Sequence, residues 1–160
     1  MKRILLATVA LVGVLGARNA WAATDTATMG VSASVATVCT FTTTPLDFGA
    51  VALTGATPGT GAVNVTCTGG GAYTVGLGAG THAAGGQRNL ASNGNLLAYG
   101  LFQDAGYATA WTDTGPGLLA GVGNAATQVL TVYGQIAAGQ TLVSGNGTPY
   151  TDTVLVTLTY

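Results

Sequence analysis

The sequence is short of charge. Only 6% of its 160 residues are Asp, Glu, Lys or Arg, and glutamate is absent. Three of the four cations, Lys2, Arg3 and Arg18, lie before residue 22, so Arg88 alone then faces five aspartates. From residue 23 onward, one cation against five aspartates gives a net charge of −4. A single cation cannot neutralise a phosphate backbone, and nucleic acids and anionic membrane surfaces are therefore excluded as partners.

Long apolar runs and helix-forming residues are also scarce after residue 22. Gly, Thr, Asn and Asp interrupt every run well before the roughly 20 apolar residues that span a bilayer, so no integral membrane segment is expected there. Abundant Thr, Val and Gly indicate an all-β chain. So little charge leaves strand edges poorly protected against association, which favours a protein that assembles.

The start of the chain reads as a secretory signal peptide, residues 1–22. A basic start at residues 1–3 precedes an apolar run over residues 4–17, and an Ala-Trp-Ala cleavage site follows. We expect cleavage after Ala22, with Ala23 as the alternative. About 138 residues then remain, which suits one domain with a sizeable core.

Two cysteines, Cys39 and Cys67, follow the signal peptide. In the oxidising compartment that export implies, the pair is expected to form a disulfide. Closing a loop of this size would stabilise the fold by about 3 kcal/mol. Two free thiols are the alternative.

Beyond Cys39, six short segments alternate apolar and polar side chains with the period of a strand, and none favours a helix. Turns rich in Gly, Asn and Pro separate them, which indicates a β-sandwich. An immunoglobulin-like sandwich needs at least seven strands, so one is missing. Residues 54–61 and 80–95 are predicted loops, and residues 104–126 a long excursion with a short strand. The six predicted strands are residues 46–53, 61–68, 72–79, 96–103, 127–136 and 151–160.

A spare strand lies at the start of the exported chain, in residues 24–37. Small uncharged residues there separate a row of apolar ones. A strand with this alternation is expected to pack its apolar face against a hydrophobic core. That core belongs either to its own chain, as an ordinary first strand, or to another molecule. The apolar row is Ala27, Met29, Val31, Ala33 and Val35.

A set of motifs in a fixed order resembles the spore coat protein U domain, a family that includes subunits of archaic chaperone–usher pili. The resemblance covers Cys39 to Tyr160. Two residues differ from the family pattern. Phe102 stands where the family commonly has Tyr, and Gln135 stands after Gly134, where the family often has a basic residue. The motifs are LDFG at 46–49, VTCTGGGAYTVGLGAG at 65–80, LLAYGLFQD at 96–104, VYGQIAAGQ at 132–140 and GTPYTDTVLVTLTY at 147–160.

The resemblance implies an incomplete immunoglobulin-like β-sandwich completed by an N-terminal donor strand from a neighbouring subunit, a form of β-augmentation. The layout is then a signal peptide (1–22), a donor strand (23–37) and a sandwich (38–160). The apolar row of the donor fills pockets in the next subunit. Implied partners are identical or related pilus subunits, a periplasmic chaperone and an outer-membrane usher. The implied location is the periplasm in transit and then a fibre on a Gram-negative cell, serving adhesion or biofilm formation.

No residue is assigned to catalysis. His82 is the only histidine and is expected to be a solvated loop residue, and neither Ser92 nor Ser144 lies in a nucleophile motif. No metal or cofactor is expected, because no His/Cys/Asp cluster has ligand spacing. GVGNAA at residues 121–126 also lacks the strand and helix that a dinucleotide site requires.

Two other functions stay open. One is a spore or cell-surface coat protein. The other is a self-contained secreted sandwich that binds sugars or surfaces, for which Tyr107 and Trp111 could supply an aromatic patch. Trp111 is nevertheless expected to anchor the core, because a buried Trp is typical of sandwiches.

Overall fold

A computed structural model describes residues 21–51, 54–141 and 143–160. The chain divides into two units, residues 1–34 and residues 35–160. Residues 21–34 of the first unit are exposed and have no regular secondary structure. Except for its last two residues, the predicted signal peptide lies outside the described residues. Among the described residues, no helix has the length and apolarity needed to cross a bilayer.

The described part of the second unit is built from strands, which confirms the all-β prediction. Its one helical element is a single 3-10 turn, Gly115–Gly117. The eight strands are β1 (Cys39–Asp47), β2 (Thr57–Cys67), β3 (Ala72–Leu77), β4 (Arg88–Ser92), β5 (Asn95–Phe102), β6 (Leu119–Val122), β7 (Thr127–Ile136) and β8 (Val156–Thr159).

The strands form two antiparallel sheets. The larger has the order β1-β2-β7-β5-β4 and the smaller has the order β6-β3-β8. Cys39 lies opposite Cys67 in the β1–β2 register, and the two are joined in the predicted disulfide. A bridge between Ala91 and Thr151 links β4 to the segment that leads into β8.

The core lies between the inner faces of the two sheets, where the predicted alternation holds. Trp111 is fully buried, and its indole Nε1 donates a 2.9 Å hydrogen bond to the carbonyl of Val75. The expectation that Trp111 anchors the core is confirmed. The other buried apolar side chains include Val63, Val65, Tyr73, Leu77, Leu97, Tyr99, Leu101, Val132 and Ile136.

The count of six strands is wrong, because the described residues form eight. Strand β4 lies inside the predicted loop 80–95. Its buried side chains include Arg88, Asn89 and Ser92, which hydrogen bonds rather than apolar character keep inside. Hydrophobic alternation cannot detect such a strand. The inference of a missing strand from the count therefore fails, and an open edge has to be sought in the structure itself.

The predicted strand 46–53 and loop 54–61 are also misplaced. The strand β1 ends at Asp47, and β2 already begins at Thr57. Gly59 is part of β2, where an added Cβ would lie 2.9 Å from the ring of Phe48 and 3.0 Å from Leu46. Gly59 and Gly61 thus admit close packing within a strand rather than make a turn.

The last predicted strand, 151–160, is longer than the observed β8. Its alternation nevertheless persists, since Val154, Val156 and Leu158 are half-buried while the residues between them are exposed. Tyr160, assigned to the same inner face, is exposed. The excursion 104–126 contains the short strand that was predicted, which is β6 near its end.

Substituting Gly59→Ala should destabilise the fold, because an added Cβ would lie 2.9 Å from the backbone carbonyl oxygen of Asp47 and 2.9 Å from Phe48. Overpacking of this kind costs about 1–3 kcal/mol. Urea unfolding of the purified protein measures the change. The control is Gly69→Ala, where the nearest atom is 4.0 Å away and no shift is expected. Equal midpoints for the two variants would contradict the packing described here.

Candidate functional site: an open groove between the sheets

Two strand edges flank one opening in the described part of the sandwich. Strand β1 pairs only with β2, and β8 pairs only with β3. A cavity of about 310 Å³ lies between these two edges and opens to solvent, and Thr43, Leu46, Val154 and Val156 all line it. We call this opening the edge groove.

The β1 side of the core is incompletely covered. Phe41 pairs with Val65, so both side chains lie on the inner face of the large sheet. Yet Val65 is 0% exposed and Phe41 is 40% exposed. Thr43 shows the same contrast with its buried partner Val63. The inward-facing side chains of β1 therefore reach solvent, because no further strand covers them on this side of the sheet.

Leu46 and Phe48 lie against the inner face of the large sheet next to the edge groove. The two side chains are half-buried and pack against the core. The ring of Phe48 meets that of Tyr99 edge-on at a centroid distance of 5.9 Å. The register between β1 and β2 shifts after Thr44, which is a β-bulge that redirects these side chains. The groove therefore has an apolar wall that water still reaches.

A buried carboxylate lies near the start of β8. The side chain of Asp152 is 2% exposed and lines the edge groove. Its Oδ2 accepts a 2.7 Å hydrogen bond from the hydroxyl of Tyr99, and its Oδ1 accepts bonds from Thr81 and His82. Gly80, with φ +87°, lies so close to the carboxylate that a Cβ would collide with it.

These contacts determine the charge state of Asp152. Burial by itself raises the pKa of the carboxyl, but hydrogen bonds from Tyr99, Thr81 and His82 outweigh it, so the pKa is lowered. Burial, and then the hydrogen bond to Asp152, raise the pKa of Tyr99. Sequence reasoning missed this cluster. One signal was available in the sequence. Asp152 lies two residues before Val154, so the alternation of the last strand places this charged residue on the inner face.

His82 is exposed and lies in a loop, as predicted, and it also contacts Asp152. Its ring is partly exposed, but Nδ1 lies 3.1 Å from Oδ1 of Asp152. Ser92 donates its hydroxyl to the carbonyl of Thr148 at 2.9 Å, whereas the imidazole of His82 contacts Asp152. The His–Asp pair thus holds a loop in place beside the edge groove.

The N-terminal arm, residues 24–37, has its root bound to the end of β2. The amide of Val38 donates to Oγ1 of Thr68 at 2.9 Å, and the amide of Thr68 donates to the carbonyl of Val38 at 3.0 Å. Oγ1 of Thr68 also donates to the carbonyl of Ala36 at 3.3 Å. Together with the disulfide, these bonds hold residues 36–38 in place.

The five apolar side chains of the arm all reach solvent. Met29, Val31 and Val35 are each at least 86% exposed, and Ala27 and Ala33 are exposed as well. The arm forms no strand in this chain. Large apolar side chains left in water are unfavourable, and a row of them is typical of an interaction surface.

An antiparallel two-sheet sandwich with an open groove between two edge strands defines the structural class. The chain belongs to the Spore Coat Protein U domain family, whose model matches residues 25–157. That membership confirms the resemblance, and the match begins inside the arm rather than at Cys39. No curated protein matches the chain.

Among solved structures, the chain is similar to one in the CsuC–CsuE chaperone–tip adhesion subunit pre-assembly complex from the archaic chaperone–usher Csu pili of Acinetobacter baumannii. The TM-score is 0.59 at 17% identity, over 79% of this chain and 40% of that chain. At this identity the likeness bears on the fold alone, and it agrees with the two-sheet architecture. The chain spans about two fifths of the length of its solved neighbour.

Replacing the buried carboxylate with Asp152→Asn should cost about 1.5–3 kcal/mol at pH 7, since hydrogen bonds to a charged group are lost. The pKa of Asp152 is depressed, so its contribution is present above the ordinary value of 3.8 and is lost as the pH falls through the lower folded value. Urea unfolding between pH 7 and pH 2 should show the gap to the unmodified protein narrowing below about pH 4.

The control is Asp25→Asn, which removes the same charge from the exposed arm. It should leave the unfolding midpoint unchanged across the range. A constant gap for Asp152→Asn down to pH 2 would show that the ionised carboxylate is not the stabilising species.

Proposed function

We propose that the chain is a structural subunit of a secreted chaperone–usher fibre, and that residues 23–37 are the donor strand for the edge groove of the next subunit. The observation that carries the proposal is the pair of unpaired edges, β1 and β8, on either side of one half-exposed apolar groove. One added strand would hydrogen-bond to both edges and cover the inner face between them.

The arm has the chemistry of such a strand. Its apolar row recurs at every second residue from Ala27 to Val35, and no charged residue interrupts it. Burying Met29, Val31 and Val35 would contribute about 1.5–3 kcal/mol each, or roughly 5–9 kcal/mol together. A slip of one residue would turn the whole row outward, so the alternation fixes the register.

The root of the arm favours insertion into another molecule. To lie beside β1 of its own chain, the arm would have to reverse direction between Val35 and Cys39. Residues 36–38 are Ala-Thr-Val and lack the Gly, Asn or Asp of a tight hairpin turn. Their backbone is also bonded to Thr68. The self-contained sandwich is therefore the less well supported alternative.

An empty groove is an aggregation hazard, because it combines open strand edges with apolar surface. This supports a periplasmic chaperone that covers the edge groove and an outer-membrane usher that drives strand exchange. The Csu complex, which contains a chaperone and a tip subunit, agrees with that scheme. Export through the periplasm to a surface fibre, with a role in adhesion or biofilm formation, completes the proposal.

A spore or cell-surface coat is the second candidate, and the description of the family favours it. A coat could be built by the same strand exchange. Genes for a chaperone and an usher beside the gene for this chain would support the fibre. Their absence, with the protein in an insoluble surface layer, would support the coat.

The substitution Val31→Asp should abolish polymerisation, because it would place a charge in the apolar groove of the neighbouring subunit. Ser32→Asp is the matched control: it adds the same charge one residue away, on the outer face of the donor strand. On an unboiled denaturing gel of surface-sheared material, Ser32→Asp should keep a ladder of polymers and Val31→Asp should give monomer only. Ladders from both variants would exclude this donor register.

A mixing experiment distinguishes exchange between chains from pairing within one chain. Val31→Asp disables the donor and leaves the edge groove intact, whereas Val156→Asp disables the groove and leaves the donor intact. Each alone should stay monomeric, and the mixture should form dimers with one copy of each variant, measured by native mass spectrometry. Thr157→Asp, on the exposed face of β8, is the matched control and should still polymerise.

Circular dichroism spectra confirm that each variant is folded before mixing. A folded mixture that yields no mixed dimer would mean that the arm acts within its own chain. The proposed function would then be wrong, and the self-contained sandwich would be correct.

A further inference from the structure

A second cavity, of about 410 Å³, lies where the pairing of β5 is interrupted. The β4–β5 ladder stops at Arg88 and Tyr99, and the next contact along this edge of β5 is the bridge from Phe102 to Ala110. Gly100 and Leu101 line the cavity in the gap between them. Its volume falls within the roughly 300–1,000 Å³ typical of sites for small molecules.

The only cation beyond residue 22 forms part of the cavity wall. Nε of Arg88 donates to the carbonyl of Gly78 at 2.8 Å, and Nη2 donates to the carbonyls of Leu77 at 2.6 Å and Trp111 at 2.8 Å. Nη1 takes part in none of these three bonds. The guanidinium is thus rigidly held by backbone, and Arg88 is 9% exposed while lining the cavity.

A carboxylate and an aromatic ring share the cavity with Arg88. Asp113 lines it, and its negative charge acts on the guanidinium. The ring of Phe102 lies over Gly100, where it would meet an added Cβ at 2.6 Å. Tyr107 supports that ring edge-on at 5.5 Å. Tyr99 lines the cavity as well, so the wall combines one fixed cation, one carboxylate and two aromatic residues.

We infer that this cavity binds a neutral pyranose sugar. Neighbouring hydroxyls of a sugar both donate and accept, so they match the carboxylate of Asp113 and the guanidinium of Arg88, which line the same cavity. The polarised C–H face of the ring suits the negative face of Phe102. The inference does not depend on the proposed strand exchange.

The balance of charge disfavours an anionic ligand. Arg88 could attract a carboxylate or a sulfate, but Asp113 lines the same cavity and would repel it. A neutral polyol satisfies both groups without leaving either charge unmatched. Discrimination between neutral and acidic sugars is therefore the most direct test of the inferred chemistry.

Saturation-transfer NMR on the exported chain, in the assembly that it forms, tests the site. The probes are D-mannose, D-galactose and N-acetyl-D-glucosamine, with D-glucuronate as the acidic comparison. At least one neutral sugar should show transfer at millimolar concentration, and Asp113→Asn should weaken it at least tenfold. Asp25→Asn removes the same charge from the arm and should bind normally.

Arg88 is unsuitable for substitution because its three backbone contacts also hold the fold together. Phe102→Leu is the second variant: it keeps an apolar residue but removes the ring, and it should also weaken sugar binding. The inference is overturned if no neutral sugar binds at 10 mM, if only glucuronate binds, or if Asp113→Asn binds as well as Asp25→Asn. Polymer ladders are scored in parallel, so loss of sugar binding with ladders intact is separable from failure of fibre assembly.

Discussion

The unpaired backbone of two strand edges is the constraint on which the rest of the structure depends. The edges of β1 and β8 meet the same apolar interior from opposite sheets, and in the described part of the chain no strand lies between them. Peptide groups at a strand edge require partners, and an apolar face at that edge requires cover. The half-exposed Phe41 and the apolar wall around Leu46 are two consequences of that one gap.

Two buried charged side chains, Asp152 and Arg88, hold loops and strand ends together where no strand pairing does so. Asp152 binds the loop at residues 80–82 to Tyr99, and Arg88 joins the end of β3 to the carbonyl of Trp111. A chain with so few charges places two of them inside. Each is satisfied by several hydrogen bonds, which is the condition under which a buried charge is tolerated. Their rigidity gives the edge groove a defined wall and the second cavity a fixed cation.

Strands with apolar alternation were predictable, and strands held by polar groups were not. Val63, Val65 and Cys67 identify β2, and Leu97, Tyr99 and Leu101 identify β5, because one face of each strand is buried. Strand β4 was not predicted because its buried residues are polar. The Thr-rich first part of β1 was not predicted either. Its inner face is only partly covered, so few apolar residues are needed there and the sequence shows little apolar alternation.

The sequence alone determined the all-β class, the cysteine pair and the apolar alternation of the arm, since each follows from local composition and a period of two residues. The family resemblance could also be seen at this level. Only the tertiary structure decided that β1 and β8 flank a common gap, that Asp152 lies buried at it, and that Arg88 and Asp113 share a cavity. Arg88 and Asp113 are 25 residues apart in the chain, and the end of β1 and the start of β8 are 109 residues apart. Residue periodicity carries no information about which distant segments meet.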